Sequence, residues 1–248
     1  ARSPARRLVA PAIATLVGVV ILCALGTWQV YRLAWKTDLI ARVETRTHLP
    51  PTPAPGPEAW PSLNLDDADY LPVSVRGRFD NSREVHVFTS IADPHGPLGG
   101  QGYSVMVPFV TDAGWTVIVN RGFVPTDFKD QATRRQGLIE GETEVTGLLR
   151  PPQGRNWFTP SDDSARNLWF TRDPATIGAF LKVPPATLAP YTIDARYDPA
   201  LPGGLPQGGE TEVTFPNNHL QYIFPWYGLA LALVGVFIAW ARGVLRKG

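Results

Sequence analysis

LVAPAIATLVGVVILCALGTWQV, residues 8–30, and YIFPWYGLALALVGVFIAWA, residues 222–241, decide the fold. Neither run holds a charged side chain, and each supplies the roughly 20 apolar residues that cross a bilayer core at about 1.5 Å of helix rise per residue. Both are read as transmembrane helices. Trp28, Trp226, Tyr227 and Trp240 lie near their ends, where amphipathic aromatic rings anchor a helix at the membrane boundary. The first run is longer than the apolar core of a signal peptide and passes into Trp28-Gln29-Val30-Tyr31-Arg32 without a small-residue cleavage site. It is therefore expected to stay in the mature chain.

Orientation follows from the flanks. Arg2, Arg6 and Arg7 precede the first span, Arg242, Arg246 and Lys247 follow the second, and neither tail carries an acid. Cations concentrate on the cytoplasmic side, so tails 1–7 and 242–248 are expected there, with the long middle facing outward. Taking those six cations from the 23 Lys and Arg leaves 17 against 22 acids, a net charge of −5 for the rest of the chain. Cys23 is the only cysteine and falls in the first span, which excludes an intramolecular disulfide.

Residues 31–69 read as a helix extension and a proline-rich linker: Pro50, Pro51, Pro53, Pro55, Pro57 and Pro61 favour extended chain and block helix. Residues 70–215 are numerous enough to bury their own core. Short β-like runs recur there between turn signals, at 71–79, 84–89, 103–110, 115–121, 144–149 and 188–197. The third and fourth flank Thr111-Asp112-Ala113-Gly114 and predict a hairpin. Asp173 as N-cap, Pro174 at the first helical position and Ile177, Phe180 and Leu181 on one face predict a short helix over 174–181. The expected fold class is membrane α+β: two terminal transmembrane helices flank an outer antiparallel sheet or partial barrel, with the second span and its approach at 216–241.

Several chemistries lack their residues. Copper(I) handling calls for soft sulfur clusters, and the chain has one Cys and one Met. Cys-x-x-Cys-His for covalent haem and a His or carboxylate cluster for zinc are missing, and Gly102-Tyr103-Ser104-Val105-Met106 lacks the second glycine of a nucleophile elbow. Asp66, Asp67 and Asp69 lack the spacing of a calcium loop and read as a solvated turn. The chain is expected not to be an enzyme, and its near-neutral balance gives no basis for nucleic-acid binding.

His219 stands in Asn217-Asn218-His219-Leu220-Gln221-Tyr222, at the mouth of the second span and inside a stretch with no charge between Glu212 and Arg242. Ionisable groups in such places usually have a task. His219, Tyr222 and Trp226 recur at helical spacing, as do Trp28, Arg32, Trp35 and Lys36 on the first helix, and Pro225 is expected to make the start of the second helix irregular. Haem would suit these surfaces, with imidazole on iron, aromatic rings flanking the macrocycle and Arg32 or Lys36 meeting its propionates. The bland reading has His219 capping the helix and the aromatics serving as anchors. On the residues alone both stay open.

Gly26-Thr27-Trp28-Gln29 with Arg32 and Lys36, Gly77-Arg78-Phe79, Gly102-Tyr103 with Pro108, and Val119-Asn120-Arg121-Gly122-Phe123-Val124-Pro125 recur in this order between the two spans. Glu144-Val145-x-Gly147 with Arg150, Asn167-x-Trp169-Phe170, Asn218-His219-Leu220-Gln221-Tyr222 and Trp226-Tyr227-Gly228-Leu229-Ala230 complete the set. With that order the chain resembles the Surfeit locus protein 1 family, membrane factors that assist assembly of haem-copper cytochrome c oxidase. The resemblance implies binding of haem a and its insertion into oxidase subunit I, with His219 as the iron ligand and Trp28, Gln29 and Arg32 as neighbours; Tyr222 and Trp226 join the expected set through their helical spacing with His219. It implies subunit I as a partner, with haem a synthase a further candidate. A bacterial inner membrane is expected because the Pro- and Ala-rich chain shows no remnant transit peptide, with the mitochondrial inner membrane as the alternative. The competing reading is a haem-free scaffold or accessory subunit that stabilises an oxidase intermediate by contact. Gly122 and Pro125 are read as a turn at a strand end and Trp169-Phe170 as core, while Asn120 and Arg121 are read as surface polar groups outside the binding set.

Overall fold

The computed structural model describes residues 4–211 and 220–246. They fall into two compact units, residues 1–42 with 213–248 and residues 43–212.

The first unit is a helix pair. Helix α1 (Pro4–Thr47) carries the first apolar run and continues well past it, because residues 36–47 contain neither Pro nor Gly. Pro50 and Pro51 follow its end and forbid further helix. The last helix, numbered α4 because two short ones precede it, spans Leu220–Arg246 with Pro225 inside it. Leu8–Trp35 and Phe224–Arg246 are long and apolar enough to cross a membrane. The more covered residues include 8, 11, 15, 18, 22, 26, 29 and 33 of α1, flanked by 12, 19, 23 and 25, and 226, 230, 233, 237, 241 and 244 of α4, flanked by 243. These steps of three and four draw one stripe on each helix, the seam of a packed pair. Small residues set its closeness. A Cβ on Gly18 would come within 2.8 Å of Leu233, and one on Gly26 within 2.9 Å of the Tyr227 ring, so the helices run antiparallel.

The second unit is a β-barrel domain. Its strands are β1 (Thr52–Pro53), β2 (Pro72–Phe79), β3 (Val85–Ile91), β4 (Gly100–Thr111), β5 (Thr116–Pro125), β6 (Thr143–Arg150) and β7 (Leu188–Ala195). They pair in the order β1-β2-β6-β7-β5-β4-β3, and β2 also pairs with β4 through Gly77↔Thr111 to Phe79↔Phe109. That last contact closes β2, β6, β7, β5 and β4 into a five-stranded barrel. The long β4 makes closure possible: its first half takes β3 and its last residues take β2. The six expected strands are all present. The hairpin turns at Gly114, whose φ of +83° suits glycine, with Trp115 N donating to Thr111 Oγ1. The pairing is not wholly antiparallel, since β5–β7 and β1–β2 are parallel.

Alternation supplies the core. Val73 and Val75, Val117 and Val119, and Ala189, Tyr191 and Ile193 point inward with Phe109 and Leu149. On the outer face Met106 and Ile118 are covered by α3 (Pro174–Phe180) through Ile177 and by Trp169. Asp173 caps that helix by accepting from Ala175 N and Thr176 N, as its sequence predicts. The proline-rich run belongs to this unit: β1 adds to β2, and both the Trp60 indole and the Tyr191 hydroxyl donate to Pro55 O. Asp66 and Asp67 lie in α2 (Leu65–Ala68), a single turn capped by Asn64.

Candidate functional site

Three polar constellations stand out, one in the helix pair and two in the barrel unit. On α1 the predicted set Trp28, Gln29 and Arg32 is described, and one helical turn brings the Arg32 guanidinium over the Trp28 ring at 5.3 Å from its centroid. Trp28 is 52% exposed. Its neighbour Gln29 lies on the covered stripe, one turn from Gly26, and its Oε1 is buried without a hydrogen-bond partner among the described residues. Thr27 Oγ1 and Tyr227 OH are 3.0 Å apart and tie the helices at this level. Trp226, half-buried, sits on the facing stripe of α4. His219 lies outside the described residues, as do the side chains of Tyr222 and Lys36. The described part therefore offers an exposed aromatic face, a cation stacked on it and one buried acceptor lacking a donor.

The barrel holds charges that the sequence did not single out. Asp194 on β7 is buried; Arg172 Nη1 donates to both of its oxygens at 3.0 Å, Asn120 Nδ2 donates at 2.9 Å and the Thr211 hydroxyl at 2.9 Å. Burial alone would raise this carboxyl, but Arg172, Arg150 and those donors outweigh it and hold the pKa below its ordinary value. Next to it Asp69, 2.9 Å from Arg150, is raised because burial outweighs Arg150's attraction. Arg150 also lies over the Tyr70 ring at 3.9 Å.

A second buried cluster joins Glu84 to Arg134 Nη2 at 2.5 Å and to His86 Nε2 at 3.0 Å. Burial pushes Glu84 up, yet the bonds from His86 and Arg134 bring it below its usual range. Glu84 and His86 line an open pocket of about 630 Å³ with Lys129 and Asn167. Arg121 is buried rather than at the surface: it stacks on Phe79 at 4.8 Å and donates to Gly137 O, and burial beside Arg134 pushes its pKa down to about 10. Asn120 likewise serves Asp194 from within. Gly122 is not a turn residue, because β5 runs on to Pro125. At its φ of +130° an added Cβ would stand 2.1 Å from Gln207 O, where residues 207–208 cross the strand. Among the described residues no group of three His, Cys, Asp or Glu could hold a metal ion.

Charged residues inside otherwise alternating apolar strands, such as Asp194 after Tyr191-Thr192-Ile193 and Arg121 after Val117-Ile118-Val119-Asn120, were the signal for these networks. Their partners come from distant segments and carry no local mark.

The chain is 41% identical to human Surfeit locus protein 1 over 219 residues, 84% of this chain and 70% of the human protein. Its identity to the rat Surfeit locus protein 1 is 39% over 233 residues, 90% of this chain and 72% of the relative. A SURF1-like protein of Monosiga brevicollis is 31% identical over 240 residues, 92% and 87% of the two chains. Together with the two apolar helices these relatives mark a membrane protein, and because the SURF1 family profile matches residues 16–231, the chain belongs to the SURF1 family.

Proposed function

We propose that this protein is an assembly factor for haem-copper cytochrome c oxidase, acting without catalytic turnover, whose helix pair holds haem a as cargo for insertion into subunit I. Family membership supports the oxidase part of this reading. The observation that carries the haem part is Gln29: its buried amide oxygen finds no donor among the described residues, and such an oxygen costs free energy unless a further group, such as a ligand, supplies one. Trp28 and Arg32 beside it fit the rest of such a cargo, a flat apolar ring system with acidic substituents. Trp226 would bound it from α4, with Tyr222 beside His219. His219, one residue before α4 in the sequence, would supply the single imidazole to the iron, and holding it through one protein ligand suits transfer better than storage. Positive flanks support termini on the cytoplasmic side and an outward-facing barrel domain, and the same topology suits a bacterial or a mitochondrial inner membrane, with haem a synthase a natural neighbour.

The test is a pyridine haemochrome spectrum of the full-length protein purified from cells that make haem a, with wild type beside His219→Ala and Gln29→Leu. Stoichiometric haem a in the wild type, its loss in His219→Ala and a lowered occupancy in Gln29→Leu are expected. Oxidase maturation that survives His219→Ala, with no haem on either protein, would establish the scaffold reading instead.

A further inference from the structure

The segment after β6 presents Trp157 at 95% and Phe158 at 89% exposure, two large apolar side chains side by side at a loop tip. The loop is braced. Asn156 Oδ1 accepts from Phe158 N at 2.9 Å, Thr159 Oγ1 accepts from Asn156 N at 3.0 Å, and Arg155 donates to Pro160 O and to Asp162 at 2.6 Å. Its charges are matched, Arg155 by Asp162 and Arg166 by Asp163 at 3.6 Å, so the tip carries no net charge toward whatever it meets.

Position in the barrel domain decides what that is. Gln153, at the base of the loop, donates its N–H to Arg172 O; Arg172 pairs with Asp194, and Asp194 accepts from Thr211, close to where the chain leaves for α4. Arg150, the last residue of β6, pairs with Asp69, whose carbonyl accepts from Arg46 at the end of α1. Within this unit, Arg46 and Thr211, its residues toward the two apolar stretches, are thus both linked through an aspartate to Arg150, from which the loop springs.

We propose that Trp157 and Phe158 form an interfacial anchor that seats this end of the barrel domain on the lipid surface. Trp and Phe are the residues suited to the headgroup boundary, and the chain's own spans hold the loop near a bilayer whatever else binds. This inference rests on the two spans and is independent of the haem reading.

The test uses full-length protein in vesicles of phosphatidylethanolamine and phosphatidylglycerol, in a Cys23→Ser background with one nitroxide label. Phe158→Cys places the label at the tip. Gly154→Cys keeps both aromatics, at a position where an added Cβ meets nothing within 4 Å. Glu142→Cys reports from the opposite end of β6. Collision with a water-soluble nickel chelate is expected to fall several-fold at 154 and 158 relative to 142, with oxygen collision raised at 158. Replacing Trp157 and Phe158 together by Ser should restore nickel access at 154. Equal nickel access at all three positions would overturn the proposal and reassign the tip to a protein partner.

Discussion

The barrel and the helix pair obey opposite rules. The barrel is closed by backbone pairing around an apolar interior and keeps Asp194, Arg172, Glu84 and Arg134 inside only because each has a partner. Among the described residues the helix pair has little but closeness: Gly18 and Gly26 let side chains of α4 approach, and one hydroxyl pair joins the helices at the Tyr227 level. In lipid no apolar driving force distinguishes helix from solvent, so contacts there are worth little each. The barrel should break sharply on single changes that the helix pair absorbs.

The largest effect is expected at Asp194. Replacing it by Ala leaves Arg172 buried without its carboxylate and removes Arg150's second acid, which should cost about 3–5 kcal/mol. Urea unfolding of the full-length protein, followed by tryptophan fluorescence, would measure it, and a loss below about 1 kcal/mol would show that the network is not what holds β7 to the exit at Thr211. The pH dependence has a definite sign. Because the folded pKa of Asp194 is lowered, its contribution is fully present above the ordinary value of 3.8 and disappears as pH falls through the lowered one. Asp69 works the other way: its raised pKa takes stability away as pH rises from 3.8 through the folded value. Asp194→Asn should therefore flatten the loss of stability below pH 3.8, whereas Asp69→Asn should flatten the change just above it.

Gly122→Ala comes next. Its Cβ would meet a backbone carbonyl at a φ that L side chains rarely adopt, and neither the strand nor the crossing segment can move aside cheaply. A cost of about 3 kcal/mol is expected from overpacking and backbone strain together, read from the same unfolding curves. The corresponding change in the other unit, Gly26→Ala, meets only the far end of the Tyr227 ring, which can swing away. It should cost about 1 kcal/mol or less. Disulfide formation between cysteines at 18 and 233, in a Cys23→Ser background, would report the seam. If Gly26→Ala abolished that crosslink while Gly122→Ala left the barrel intact, the contrast drawn here would be reversed.

That contrast also governs what could be read from sequence. Strands were legible because alternation and turn residues are local: Thr111 to Gly114 announces its hairpin and Asp173-Pro174 its helix. Barrel closure was not, since nothing in β4 says that residues 109–111 will pair with 77–79 rather than continue with β3. The parallel β5–β7 pairing and the two residues of β1 depend on the whole barrel being built first. In the candidate site, the four-residue step from Trp28 to Arg32 correctly put both on one face. Gln29 entered through resemblance alone, and the burial of its oxygen without a donor among the described residues is a property of the folded chain that no local pattern announces. The charges around Asp194 were hidden for a related reason: Asn120, Arg150, Arg172 and Thr211 come from four separate segments.

The smallest effect tests the weakest link. Tyr227→Phe removes the hydroxyl that meets Thr27 and leaves the ring against Gly26 in place. A hydrogen bond between membrane helices is worth about 0.6 kcal/mol, because the separated helices find other partners, so the 18–233 crosslink should slow by less than about threefold. Thr27→Val should match it, and the double variant should be no worse than either, since both delete the same bond. An additive double variant would mean that each hydroxyl has a separate partner and that the two do not tie the helices to one another. A much larger loss would make this hydroxyl pair a lock on the seam, and the helix pair would then share the barrel's intolerance of single changes.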